Sequence, residues 1–208
     1  MSKKIKIYKD PYEEGKFIYE KSSFELQDGL TVLVGCNGSG KTTLLQEIIR
    51  NLETENIKYL HYDNLHDGTE KTKSNAGFFG NFEIVATLMQ SSEGEGMIVS
   101  LGIFASKIRK HISGNNQDEV WILLDALDSG LSIDNIQEVK QYLFQPIKED
   151  CEKANKKLYL IVVANSYEMA REENCLDVIS LKYRNFKTYE AYKSFVLKSR
   201  EKKEKRYE

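Results

Sequence analysis

Apolar residues along this chain follow two periods that alternate with each other. Residues 30–34, 120–124 and 158–163 are nearly unbroken apolar runs of strand length, as expected for strands buried on both faces of a parallel sheet. Between them the period lengthens. In 42–52, Leu44, Leu45, Ile48 and Leu52 share one helical face. The same spacing recurs in 78–90 (Phe79, Phe82, Val85, Ala86, Met89) and in 133–145 (Ile133, Ile136, Val139, Tyr142, Leu143). Further helices are predicted over 97–111, 147–156, 166–171 and 189–205, the last turning Tyr192, Phe195 and Val196 inward with Tyr189 at the margin. Pro146 demands a kink or a fresh helix start. Strands over 3–8, 17–26, 57–62 and 176–181 complete the set, with turns at 10–15 and 28–29. The stretches 63–77 and 112–118 are polar and read as loops. The fold class predicted is α/β: a mostly parallel sheet flanked by helices, plus an antiparallel β-subdomain over about residues 1–30. Residues 1–208 are read as a single domain.

Chemistry enters between the strand at 30–34 and the helix at 42–52. Gly35-Cys36-Asn37-Gly38-Ser39-Gly40-Lys41-Thr42-Thr43 matches G-x-x-x-x-G-K-[ST], the P-loop. Strand, glycine-rich loop and helix are the context that the motif requires. Glycines let consecutive N–H groups turn inward around a phosphate. The helix N-terminus adds positive potential, Lys41 a charge for the β- and γ-phosphates, and Thr42 a hydroxyl for Mg²⁺. Asn37, Gly38, Ser39, Gly40, Lys41, Thr42 and Thr43 are therefore the expected nucleotide contacts. The run at 120–124 ends on Asp125, which fits a Walker B carboxylate holding Mg²⁺ at the C-terminal edge of the sheet. Two other features carry two readings each. Tyr12, at the tip of the first hairpin, is either a platform for an adenine ring or a surface-turn tyrosine. Ser91-Ser92-Glu93-Gly94-Glu95-Gly96 is either a second anion cradle or an ordinary capping box built by Ser92 and Glu95.

Composition narrows the setting. With 208 residues, 40% hydrophobic and 30% charged, the chain is long enough for one sizeable core. A net charge of −2 gives no global pull toward nucleic acid or membrane. No apolar stretch reaches the roughly 20 residues of a bilayer span, and the N-terminus lacks a signal-peptide core. Three scattered cysteines favour neither a disulfide framework nor a zinc site, so a reducing cytoplasm is expected. The final helix ends in a mixed run of Lys, Arg and Glu, the composition of a solvated face rather than a nucleic-acid contact.

Taken in order, these motifs resemble the nucleotide-binding domain of ABC-type ATPases. The likeness is greatest to the small soluble branch related to chromosome-maintenance and DNA-repair ATPases. Residues 35–45 match G-x-N-G-S-G-K-[ST]-T-L. Ser91-Ser92-Glu93-Gly94-Glu95 falls where the family carries L-S-G-G-[QE], with Ser92 and Gly94 on matching positions. Residues 123–132 resemble L-L-D-E-P-x-S-x-L-D, and Ala164-Asn165-Ser166-Tyr167-Glu168 resembles the T-H-S-x-E switch. The resemblance implies Mg·ATP sandwiched in a head-to-tail homodimer, Lys41 of one copy facing Ser92 and Gly94 of the other. It also implies a reduced helical subdomain over about 63–112. The departures concern hydrolysis. Ala126 stands where the family has its water-polarising Glu, Asn165 where it has a His, Ser132 where the D-loop has an Asp, and Glu93 replaces a signature Gly. Asp63 or Asn64 would have to serve for the family's Gln. Asp128 is the nearest replacement base. A general base contributes roughly 10²–10⁴-fold, so two readings follow: an ATPase of slow turnover, or an ATP-gated dimer that recruits a protein partner without hydrolysis. A membrane-transporter subunit would need a docking surface of which the sequence carries no sign.

Overall fold

The computed structural model describes residues 2–8 and 19–205. Tyr12, the expected adenine platform, lies outside them. Strands β1 (Ser2–Lys6) and β2 (Ser23–Gln27) pair antiparallel into a separate two-stranded sheet. A six-stranded sheet follows, built from β3 (Gly29–Val34), β4 (Tyr59–Asp63), β5 (Glu119–Asp125), β6 (Lys157–Val163), β7 (Asn174–Asp177) and β8 (Lys182–Arg184). Its spatial order is β4-β5-β6-β3-β7-β8, parallel throughout except for the β7–β8 hairpin at one edge. The chain is thus an α/β protein with a mostly parallel sheet flanked by helices.

Alternation divides the sheet between two cores. Leu30, Val32 and Val34 of β3, Val120, Ile122 and Leu124 of β5, and Leu158, Leu160 and Val162 of β6 face one side. There they meet Leu101, Phe104 and Ile108 of α5 (Glu93–Gly114), Ile136 and Val139 of α6 (Ile133–Val139), Ile147 of α7 (Gln145–Lys153) and Tyr192 of α9 (Tyr189–Glu204). The intervening Leu33, Trp121, Leu123, Tyr159 and Ile161 face α1 (Lys41–Thr54) and the β1–β2 sheet. Trp121 and Tyr159 stack at 4.1 Å between neighbouring strands. The predicted α1 stripe is confirmed: Leu44, Leu45, Ile48 and Leu52 are fully buried.

Several expectations are corrected. Residues 63–77 are helical, forming α2 (Asn64–Asp67) and α3 (Thr69–Phe78). Only Ala76 of α3 is buried, so no apolar stripe announces the helix. Ion pairs Lys71–Asp67 and Lys73–Glu70, one helical turn apart, support this region instead. The next helix, α4, runs Phe82–Gln90 after a turn at Gly80, whose φ of 71° suits glycine. Its spacing marks a helix but not the buried face: Leu88 is buried, while Phe79, Phe82, Ala86 and Met89 are exposed. In the same way Ile136, Val139 and Leu143 are buried but Ile133 and Tyr142 are exposed. The predicted strand over 176–181 stops at Asp177. Its carboxylate accepts hydrogen bonds from Ile179 N–H (3.1 Å), Ser180 N–H (3.4 Å) and Ser180 Oγ (2.6 Å), turning the backbone into the β7–β8 hairpin. Pro146 is the second residue of α7 and follows directly on a π-helical turn at Lys140–Phe144, where the helical hydrogen-bond pattern is already interrupted. A short helix, α8 (Tyr167–Ala170), is capped by Ser166.

Candidate functional site

Parallel strands deliver their following loops to one edge of the sheet, and in this chain that edge collects the predicted polar residues. The loop after β3 turns on Gly38 (φ 73°) and Gly40 (φ 92°), left-handed positions that disfavour a side chain. Lys41 folds back into this turn. Its Nζ donates to the carbonyls of Gly35 (3.0 Å) and Cys36 (3.1 Å), and the residue is 7% exposed. Among the described residues no carboxylate lies within ion-pairing distance of this ammonium. Burial pulls its pKa below the ordinary lysine value, with Cys36, Asp128 and Asp125 opposing from further away. Ser39 is fully buried, and its hydroxyl has no partner among the described residues. A buried cation, an unpartnered hydroxyl and a glycine-turned backbone suit an oxyanion. Asn37, Gly38, Thr42 and Thr43 are exposed around them. The Tyr19 hydroxyl donates to Gly40 O (3.1 Å), bracing the end of the turn.

One strand position links this loop to the predicted carboxylate. Thr42 Oγ1 donates to Asp125 Oδ1 at 3.3 Å, and Ala126 N–H donates to the same oxygen at 2.9 Å. Asp125 is 5% exposed. Burial raises its pKa, the two hydrogen bonds oppose that rise, and Asp63 adds to it. Asp63 is directly opposite Asp125 in the β4–β5 register, a juxtaposition that strand pairing creates and sequence spacing does not show. Thr42 and Asp125 are thus adjacent oxygen donors of the hard type that Mg²⁺ takes, with Asp63 beside them. Among the described residues there is no cluster of three or more acidic, His or Cys side chains able to hold a metal by itself. A hard cation here would need ligands from a bound phosphate or water. Asn64, the alternative to Asp63 for the family's Gln, donates through Nδ2 to Ser129 O instead (3.2 Å).

Asp128 and Asn165 also meet, but in a structural relation. Asp128 Oδ2 accepts from the backbone N–H groups of Asn165 (2.7 Å) and Ser166 (2.5 Å), fixing the loop after β6. Its Oδ1 is buried without a partner among the described residues. The Asn165 side chain is exposed, and its carbonyl accepts from Tyr192 of α9 (2.8 Å).

Ser92 and Gly94 belong to a different neighbourhood. α5 begins at Glu93, four residues before the predicted start, and Ser92 is its N-cap. The capping box is complete: Glu95 N–H donates to Ser92 Oγ (3.4 Å) and Ser92 N–H to Glu95 Oε2 (2.8 Å). Gly94 packs on the segment after β5, where an added Cβ would stand 2.8 Å from Asn135 Oδ1 and 3.3 Å from Gly130 O.

Sequence reasoning predicted the helix α9 but missed its contacts with the loop after β3. Its charged end is not simply a solvated face. Ser199 is buried and accepts from Cys36 N–H (3.2 Å), Lys203 donates to Asn37 O (3.2 Å), and Lys202 pairs with Glu20 (3.0 Å).

No family model matches the chain. A stretch of 73 residues, 34% of the chain, is 37% identical to part of the DNA double-strand break repair Rad50 ATPase of Methanosarcina acetivorans. The match spans 7% of the length of that protein. The similarity is therefore to a small segment of that ATPase. Among the described residues, no helix is long and apolar enough to cross a membrane.

Proposed function

We propose that residues 35–43 are a P-loop and that the chain binds Mg·ATP as an ABC-type ATPase domain. The observation that carries this reading is Lys41: a buried ammonium held, among the described residues, by two carbonyls and no carboxylate, at a glycine-turned helix start, one residue before the Thr42–Asp125 contact. Desolvating a lysine without a counter-charge is costly unless an anion arrives to match it. Bound ATP would supply that anion, and Mg²⁺ would neutralise it further. Loop N–H groups from Asn37 to Thr43 and Lys41 would hold the phosphates, while Thr42 and Asp125 would hold the metal. Tyr12 remains the proposed adenine contact. Ser92 and Gly94 would serve the partner copy of a head-to-tail homodimer, and cytoplasmic action with a protein partner completes the proposal.

Whether hydrolysis follows depends on the segment after Asp125. A slow ATPase using Asp128 is one reading. The geometry favours the second, an ATP-gated switch with little turnover. Asp128 already spends one oxygen on two backbone N–H groups. Ala126 offers no base, and its φ of 52° is a left-handed conformation that a restored glutamate would also have to adopt.

The test is nucleotide binding and phosphate release, each with Lys41→Ala as control. Wild-type protein is expected to bind Mg·ATP, and Lys41→Ala to weaken binding by roughly tenfold or more, the worth of a charge-assisted contact. Wild-type binding no tighter than that of Lys41→Ala would sink the proposal. Turnover clearly above the control would remove the switch reading and leave the slow enzyme.

A further inference from the structure

Helix α9 reaches the loop from the opposite end of the sequence. Lys41 Nζ occupies the carbonyls of Gly35 and Cys36, and Lys203 Nζ occupies that of Asn37, so two ammonium groups cover three consecutive carbonyls. Among the described residues both lysines are held by neutral acceptors. Among the described residues no carboxylate lies within ion-pairing distance of Lys203. Arg200, one turn earlier, lines the same cavity of about 520 Å³ with Lys203, Gly35, Asn37, Asn165 and Val196. Arg200 pairs with Glu204 in an exposed contact that opens at little cost. Behind these cations the helix is anchored. Ser199 accepts from Cys36 N–H, and Tyr192 donates to Asn165 O. α9 therefore bridges the loop after β3 and the loop after β6, and Arg200 and Lys203 line the cavity between them.

Resting on the reading that residues 35–43 bind a nucleoside triphosphate, we infer that Arg200 and Lys203 are ligands for its terminal phosphate. In a P-loop the lysine corresponding to Lys41 reaches the β- and γ-phosphates. Lys203 stands on the adjoining carbonyl at that same end of the loop. A phosphate oxygen is a far better partner for an ammonium or guanidinium than a carbonyl or an exposed carboxylate. Binding a triphosphate would draw Lys203 from Asn37 and Arg200 from Glu204. A diphosphate, lacking the outer group, would leave both where they are. The pair makes the site discriminate ATP from ADP.

Binding of fluorescent ATP and ADP analogues with Mg²⁺ tests this in the full chain, using Arg200→Met with Lys203→Met, and Lys203→Arg separately. These changes leave the buried anchors Tyr192 and Ser199 intact. The double variant should bind the ATP analogue roughly ten- to a hundredfold more weakly, the loss of one or two charge-assisted contacts, with ADP affinity little changed. Lys203→Arg should retain most of the preference. A purely structural tether predicts equal loss for both nucleotides, and that result, or an unchanged ATP-to-ADP ratio, would overturn the inference alone. If the wild type binds neither analogue, the P-loop reading falls and this one with it.

Discussion

Burial raises the Asp125 carboxyl above its ordinary value of 3.8, with Asp63 acting in the same direction and Thr42 and Ala126 N–H against it. A raised pKa means that the folded chain holds this proton more tightly than the unfolded chain. The stability so contributed is complete below 3.8 and is lost as pH rises through the folded value. At neutral pH the metal-free protein therefore carries an unfavourable buried carboxylate, useful only if a cation comes to it. Asp125→Asn should raise the thermal midpoint of the metal-free protein at pH 7. A gain of roughly 2–4 °C corresponds to 1 kcal/mol for a chain of this size. The gain should shrink as pH falls through the folded value and the wild-type carboxyl takes up its proton. The same variant should lose the Mg²⁺ dependence of nucleotide affinity. Scanning calorimetry across pH decides it: an Asn variant less stable at pH 7 would mean that the Thr42 and Ala126 hydrogen bonds outweigh desolvation.

At the scale of elements, legibility followed the origin of each element's stability. β3, β5 and β6 are buried on both faces, so their apolar runs could be read directly, and α1 shows its full stripe. α3 buries one side chain and is supported by ion pairs one turn apart, which leave no hydrophobic period to detect. α4 has the period, but Phe82, Ala86 and Met89 face outward, because neighbours and not spacing choose the buried face. The loop residues 35–43 and Asp125 were legible because their chemistry is local. Asp63 beside Asp125, and Ser199 and Lys203 against the loop, depend on register and on contacts across most of the chain. α5 shows the same distinction within one helix. Its Gly102 faces open space, whereas Gly94 meets Asn135 and Gly130. Gly102→Ala should stabilise by roughly 0.5–1 kcal/mol, the helix propensity gain. Gly94→Ala should destabilise instead, since the steric contact, typically worth about 1–3 kcal/mol, exceeds that gain. Urea denaturation of both variants tests the contrast, and equal stabilisation would show that the contact with α6 relaxes freely.

For the whole molecule, the rims of the two surfaces proposed to meet across a homodimer are accessible in the single chain, although Lys41 itself is buried. Asn37, Gly38, Thr42 and Thr43 are exposed at the sheet edge, and Ser92 is exposed at the start of α5. Within one chain Gly94 packs against Gly130 and Asn135, not against the loop. If α5 is to complete a nucleotide site, a second copy must bring it there. A net charge of −2 sets little electrostatic barrier to such an approach. ATP shifts the equilibrium only by its preference for the closed form, and two sites multiply that preference. A tenfold preference at each would strengthen dimerisation by about a hundredfold. Light scattering should then report a monomer without nucleotide, a dimer with saturating Mg·ATP, and a monomer under both conditions for Lys41→Ala. A wild-type chain that binds ATP yet stays monomeric at high concentration would sink the head-to-tail dimer while leaving the P-loop assignment intact. The ATP-gated switch would then need a different protein as the surface that closes over the nucleotide.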